Sequence, residues 1–375
     1  MKIVFIVHNY PPVVDGVGDH TFFQVQALRK LGHKVHVICP AKKEIVEQKH
    51  PDTYPIIEKW NSKGYNKALL QTKNLQPDQV IIPYVPYAFN KWGVPVELPF
   101  LVYKLRKSGL NVCVNFHEVK IRYTWTSKKS YPIGFIQRLI AYGICYNAER
   151  FVTSIEFYRD YLLKYTSKPI AVIPVPPNFD TEISSSEDEV NILRNSIAPR
   201  KEKIVATYGV RDANIIVAMF SRVLKELPQT KLLFCGKPKQ ADVLKELDSN
   251  VFITGYLTQK EVLTYLKTAD VFYLPDPVDN KGRGGSCNKS GSLAAALVTG
   301  LPVVGTRGDL NNQLLLQSKQ VILTEGNNPE IAAQEVAVLL KSDRRIVENE
   351  RDDWNHLLSW DTITKDLILF LQSSI

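Results

Sequence analysis

Residues 282–306 read "GRGGSCNKSGSLAAALVTGLPVVGT": a basic loop rich in glycine and serine, a short apolar helix, then a strand. Lys289, Ser290, Gly291 and Ser292 stand where that helix, expected over 293–299, begins, and Asn288 precedes them. Ammonium, hydroxyl and amide donors gathered at a helix N-terminus suit an anion, a diphosphate above all, because the helix dipole adds positive charge there. An ordinary surface loop is the plain alternative. A second polar group ends a strand: "NVCVNFHEVK" (111–120) places His117 and Glu118 together just past its apolar run. Ligands of open α/β sheets bind at strand carboxyl ends, so this pair reads as ligand-binding or catalytic.

A third candidate is "NYPPVVDGVGDHTFFQ" (9–24), where Gly16 and Gly18 precede a helix and could bring bare amides to a phosphate or sugar. A dinucleotide fingerprint would need a third glycine and an acidic residue ending the second strand. Position 21 is Thr and the second strand ends "ICPAKK", which argues against NAD. No histidine, cysteine or carboxylate set has zinc-like spacing. In "VKIRYTWTSKKSYPIGFIQR" (119–138), Lys120, Arg122 and Arg138 interleave with Trp125 and Phe135. That mixture suits an anionic lipid surface or an acceptor, and equally a solvated loop.

Short β-branched runs such as "KIVFIVH" (2–8), "KVHVICP" (34–40), "KIVATYG" (203–209) and "PVVGT" (302–306) alternate with amphipathic stretches such as "HTFFQVQALRKLG" (20–32). Continuous apolar strands between helices predict parallel sheets covered on both faces, the doubly wound α/β class. The series starts twice. It is interrupted at "PVPPNFDTEISSSEDE" (174–189), a linker by composition. At 375 residues the chain has room for two such domains. No apolar run reaches the roughly 18 residues of a membrane span, and the N-terminal run reads as a first strand rather than a secretion signal. Five scattered cysteines without a pairing pattern suggest a reducing compartment, the cytoplasm. The net charge of +9 favours an anionic partner, and no nucleic-acid-binding signature accompanies it.

Together these motifs resemble retaining glycosyltransferases of the GT-B fold, in family 4. The resemblance is carried by "YPPVVDGVGDHTFFQVQALRKLGHKVHVI", "YVPYAFNKWG" and "NVCVNFHE" in the first half. In the second it is carried by "VFITGYLTQKEVLTYLKTADVFYLP", "AALVTGLPVVGT" and "LSWDTITKDLILFLQ". It implies two Rossmann-like domains facing across a cleft: an acceptor-side domain over 1–178 and a nucleotide-sugar domain over 179–358. A helix over 359–375 would cross back to the first. It also implies a nucleoside-diphosphate-sugar donor, a glycan, lipid-linked or small-molecule acceptor, retention of configuration, no cofactor and no metal. The setting would be polysaccharide or glycolipid precursor synthesis in the cytoplasm, with peripheral contact to an anionic inner membrane face. His117 would contact the transferred sugar, with Glu118 beside it. Gly16, Gly18, Arg211, Asn288, Lys289, Ser290, Gly291 and Ser292 would bind the donor, and Tyr10, Asp19, Arg122 and Trp125 would lie on the acceptor side. Many relatives carry two glutamates around the donor loop, where this chain has Cys287 and Ala295; "KSGSLAAALVTGLPVV" is similar instead to a sub-branch with a basic "R-R-G-S". Two alternatives stay open: a weakly catalytic homologue serving as a binding subunit, and a nucleotide-sugar epimerase.

Overall fold

The computed structural model describes residues 1–120, 130–180, 183–326, 328–342 and 353–373. The chain forms two compact units, Met1–Pro174 with Trp360–Ile375, and Val175–Ser359. The first is built on seven strands, β1 (Lys2–Ile6), β2 (Lys34–Pro40), β3 (Thr53–Ile57), β4 (Gln79–Tyr84), β5 (Val112–Phe116), β6 (Arg150–Thr153) and β7 (Ile170–Val172). Their order is β3-β2-β1-β4-β5-β6-β7, and every pairing between them is parallel. Helices α1 (Gly16–Lys30), α2 (Lys43–Glu47), α3 (Ser62–Leu75), α4 (Leu98–Lys107), α5 (Ser130–Asn147) and α6 (Glu156–Leu162) connect them. β3 escapes the sequence reading because Pro55 interrupts its pattern; it is an edge strand, the place where a sheet tolerates proline.

The second unit holds β8 (Ile204–Tyr208), β9 (Lys231–Cys235), β10 (Val251–Gly255), β11 (Val271–Tyr273), β12 (Val303–Thr306) and β13 (Val321–Thr324). They are ordered β10-β9-β8-β11-β12-β13 and again parallel. The helices are α7 (Glu187–Ile197), α8 (Ala213–Glu226), α9 (Gln259–Lys267), α10 (Gly291–Val298), α11 (Gln313–Gln317) and α12 (Pro329–Lys341). The acid-rich end of the expected linker is structured. Ser186 accepts from the Glu189 amide while the Glu189 carboxylate accepts from the Ser186 amide, a capping box that starts α7. Serines and acids that look like linker composition are here the signal for a helix start.

A last helix, Trp360–Gln372, belongs to the first unit. Its Ile363, Leu367 and Leu371 enter the same core as Ile3, Phe5, Val25 and Leu28. Buried Arg150 ties down its end, donating to the Phe370 carbonyl at 3.0 Å and the Ser373 hydroxyl at 2.9 Å. The expected return of this helix to the first domain is therefore present. Among the described residues no helix is long and apolar enough to cross a membrane, and all five cysteines are buried thiols. Leu367 is 2% exposed, so Leu367→Ala should remove about 2–5 kcal/mol from the first unit. A thermal melt in which this variant keeps the parent midpoint would show that the helix is not part of that core.

Candidate functional site

Each sheet has a point where winding turns from one direction to the other: between β1 and β4 in the first unit, between β8 and β11 in the second. Loops diverge there and leave a notch beyond the strand carboxyl ends, the usual ligand position in such folds.

In the second unit the notch receives the N-terminus of α10. The Ser290 hydroxyl accepts from the Leu293 amide at 3.3 Å, and the Ser290 carbonyl accepts from the Ala294 amide at 3.0 Å. The first-turn amides of Gly291 and Ser292 are therefore the ones this terminus can offer to an anion. Gly209 directly follows β8; its φ of +99° is in the glycine-favouring region, and a Cβ there would lie 3.3 Å from Ser292 Oγ. The sequence thus brings the end of β8 against the start of α10 by leaving out a side chain. Asn288 is buried, accepts from the Val175 amide at 2.8 Å and keeps its Nδ2 without a hydrogen-bond partner.

The loop ahead of α10 is not a loose surface segment. Residues 284–288 are buried. The Ser286 amide donates to the Thr306 carbonyl at 2.9 Å, and the Ser286 hydroxyl accepts from the Thr306 amide at 3.0 Å. A Cβ on Gly284 would stand 2.1 Å from the Pro277 carbonyl oxygen, so its φ of +131° serves close packing. Cys287 and Ala295 are core side chains, 3% and 0% exposed. Arg211 donates from Nη1 to Asp276 Oδ1 at 3.1 Å and from Nε to the Tyr208 carbonyl at 3.1 Å. Its charge is already compensated, so it has less to give a diphosphate than sequence reading assigned to it.

In the first unit His117 follows β5, and its amide donates to the Tyr84 carbonyl at 3.0 Å, with the Glu118 amide sharing that acceptor at 3.4 Å. The His117 ring meets His20 edge-on at 4.9 Å, and His20 in turn meets Trp360 at 5.1 Å. Trp360 also stacks on Phe23 at 5.4 Å. His20 is a supporting residue that sequence reading missed; inside an amphipathic α1 it is indistinguishable from any interior position. Burial pushes its imidazole down to about 4.

Asp15 caps α1, its Oδ1 accepting from the Gly18 amide at 2.7 Å, and its Oδ2 lies 3.2 Å from His8 Nε2. Burial raises the Asp15 carboxyl, but the His8 contact and the Gly18 and Val17 amides outweigh it and hold the group below the usual carboxylate range. Burial, with the nearby charge of Asp15, pushes Asp19 up to about 6. Tyr10, expected on the acceptor side, is instead a core side chain: it is 0% exposed and packs on Phe22 and His50. Arg122 and Trp125 lie outside the described residues, as does much of the basic stretch around them.

Beside Asp15 opens a cavity of about 520 Å³ at the carboxyl ends of β1 to β4, lined among others by His8, Asn9, Asp15, Lys42, Trp60 and Tyr87. His8 Nδ1, Asn9 Oδ1 and Trp60 Nε1 are buried without hydrogen-bond partners. Five of these six lie in stretches already quoted, Asn9 and Asp15 in the glycine loop itself, yet none was singled out as a site residue, and Trp60 lies in none of them. Among the described residues no three His, Cys, Asp or Glu side chains are grouped to hold a metal ion.

Two doubly wound parallel domains, each with its notch at the strand carboxyl ends, define the architectural class, GT-B. Residues 206–342 match the family Glycosyl transferases group 1. Among solved structures, sucrose-phosphate synthase from Thermosynechococcus elongatus is 17% identical, with 98% of each chain covered and a TM-score of 0.73. HepE of Anabaena, in complex with UDP and glucose, is 14% identical with complete coverage of both chains and a TM-score of 0.71. A Listeria monocytogenes protein assigned as a UDP-N-acetylglucosamine 2-epimerase is 13% identical, covering 98% of this chain and 94% of that one, with a TM-score of 0.61. At such identities the likeness establishes a shared fold. No curated protein matches the chain.

The buried His20 makes a pH prediction. Its folded value of about 4 lies below the 6.5 of an unfolded histidine, so the stability it contributes is complete above 6.5 and is lost as pH falls toward 4. At about pH 5 the loss is about 2 kcal/mol. His20→Phe should flatten this part of the melting-temperature profile between about pH 7 and pH 5; a variant as acid-sensitive as the parent would refute the assignment.

Proposed function

We propose that the chain is a glycosyltransferase that moves a sugar from a nucleoside-diphosphate sugar to a glycan or lipid-linked acceptor, with retention of configuration and no metal requirement. The observation that carries the proposal is the α10 N-terminus set against Gly209 at the β8/β11 switch point, inside the segment that matches Glycosyl transferases group 1. The HepE structure with UDP and glucose supports a donor of this kind.

On this reading the amides of Gly291 and Ser292, the Ser292 hydroxyl, Asn288 Nδ2 and Lys289 hold the diphosphate. As the bond from the sugar's anomeric carbon to the diphosphate oxygen lengthens, negative charge grows on the leaving group. Donors fixed beforehand stabilise that charge more than they stabilise the bound donor, which lowers the barrier. The positive end of α10 does this without a counter-ion. Gly16 and Gly18 approach the donor sugar or phosphate. His117, braced by His20 and Trp360, faces the electron-poor sugar of the transition state, with Glu118 orienting it. The cavity lined by His8, Asn9, Asp15 and Trp60 takes the acceptor: an indole face and unpartnered polar atoms match the apolar faces and hydroxyls of a sugar ring. Asp19, near enough to Asp15 to feel its charge and raised to about 6, supplies a group able to accept a proton near neutrality.

A thermal-shift panel of UDP, GDP, ADP, TDP and CDP tests the donor half. One of them should raise the melting temperature with or without magnesium, because a ligand of the native state stabilises it by mass action. Lys289→Ala should weaken that nucleotide about tenfold, in keeping with loss of one charge-assisted hydrogen bond. No shift with any nucleotide would replace the transferase reading with that of a binding subunit. Conversion of a nucleotide sugar to its epimer without acceptor would replace it with an epimerase.

Transfer assays with the nucleotide sugar so identified test the acceptor half. Trp60→Ala should raise the acceptor KM about tenfold while leaving the nucleotide shift in place. An unchanged acceptor KM would place the acceptor elsewhere.

A further inference from the structure

The first unit presents one face whose composition the proposed chemistry does not use. On α5, Phe135, Leu139, Tyr142 and Tyr146 recur at helical spacing and are all exposed, Tyr146 by 66%. The opposite side of the same helix is buried through Ile140, Ala141, Ile144 and Cys145. α4 packs beside α5, and a Cβ on Gly143 of α5 would touch Pro99 of α4 at 3.1 Å. α4 buries Leu101, Val102 and Leu105 and exposes Phe100, by 65%, and Tyr103. The loop entering α4 is fastened to α5 by Gln137, whose Nε2 donates to the Gly93 carbonyl at 2.9 Å. That loop leaves Trp92 65% exposed.

So many large side chains left in water on two neighbouring helices need an occupant, since solitary apolar residues are common on surfaces but contiguous patches are not. The charges choose among occupants. Neither Leu98–Lys107 nor Ser130–Asn147 contains an aspartate or glutamate. α4 closes with exposed Lys104, Arg106 and Lys107, Lys107 lies over the Tyr103 ring, and Lys91 lies over Trp92. Arg106 is balanced by Glu149 at 3.3 Å; Lys104 donates to the neutral Asn66 amide oxygen at 3.2 Å. A second copy set symmetrically on this face would bring lysines against lysines. A plane of anionic headgroups over acyl chains satisfies both features at once: aromatic rings and leucine enter the boundary, tyrosine hydroxyls stay at headgroup level, and lysines meet phosphates.

We propose that the exposed face of α4 and α5 is a docking surface for an anionic phospholipid membrane, with both helices lying along the bilayer. It overlaps the stretch 119–138 flagged by sequence only at the start of α5, through Phe135; the apolar stripe runs on along α5 to Tyr146, and the face continues onto α4. It does not rest on the glycosyltransferase reading, and the two can fail separately.

Co-sedimentation of the whole chain with vesicles tests it. Vesicles of phosphatidylcholine containing about one third phosphatidylglycerol should bind the protein at least about tenfold more tightly than phosphatidylcholine alone. The double variant Phe100→Glu/Phe135→Glu should lose that binding by about tenfold or more while keeping the parent's melting temperature and nucleotide shift. Lys104→Glu/Lys107→Glu should retain residual binding but lose the preference for anionic vesicles. The proposal is overturned if the parent stays in solution with anionic vesicles, or if the aromatic variant binds as well as the parent. Equilibrium sedimentation showing a dimer that the aromatic variant dissociates would overturn it too, by assigning the face to a second copy.

Discussion

Parallel strands all end on the same side, and everything functional here depends on that constraint. A parallel sheet needs a crossover after every strand, and at one place in each sheet consecutive crossovers must diverge. In the first unit that place lies between β1 and β4, and the loops after β1 and β4 reach the cavity beside Asp15. In the second it lies between β8 and β11, where the start of α10 meets Gly209. Neither site needs an unusual residue to create the opening. Side chains, or their absence at glycine, then decide what enters.

The second unit shows how a basic sequence can supply less free charge than it contains. Arg211 is matched by Asp276, and Arg283 by Asp279 only four residues earlier. Guanidinium groups so paired hold loops in place more than they attract a distant anion. The positive potential at the notch therefore falls chiefly to backbone amides and the α10 dipole, which no pairing partner can neutralise. Such donors are also rigid, since Ser290 fixes the helix start and the buried segment 284–288 fixes what precedes it.

Much of this was legible from sequence for plain physical reasons. Two-sided burial makes parallel strands read as continuous apolar runs, so most strands and the doubly wound class were visible. His117, Glu118 and the α10 start were visible because polar residues interrupt those runs at strand ends and helix starts. The cavity was not. His8, Lys42, Trp60 and Tyr87 come from loops after different strands, and only the fold brings them together. Tyr10 misled for the converse reason: a tyrosine beside a glycine loop has the same local sequence whether its ring points to solvent or, as here, into the core. The composition of the loop 282–290 left its packing open, since glycine and serine suit a surface loop and equally permit backbones to approach within contact, as they do at buried residues 284–288.

The return of Trp360–Gln372 to the first unit has a consequence for synthesis. A ribosome releases all seven strands of that sheet before it begins the second unit, yet the groove for Ile363, Leu367 and Leu371 stays vacant until residues 175–359 have been made. The unit translated first is thus completed last, and throughout that interval its nascent form shows apolar surface to the cell. Trp360 also stands behind His20, which stands behind His117. The ring stack behind the candidate sugar-contacting histidine consequently gains Trp360 only after residues 175–359 have been made, so a protein cut short before then would carry all seven strands and His20 against His117, but no indole behind His20.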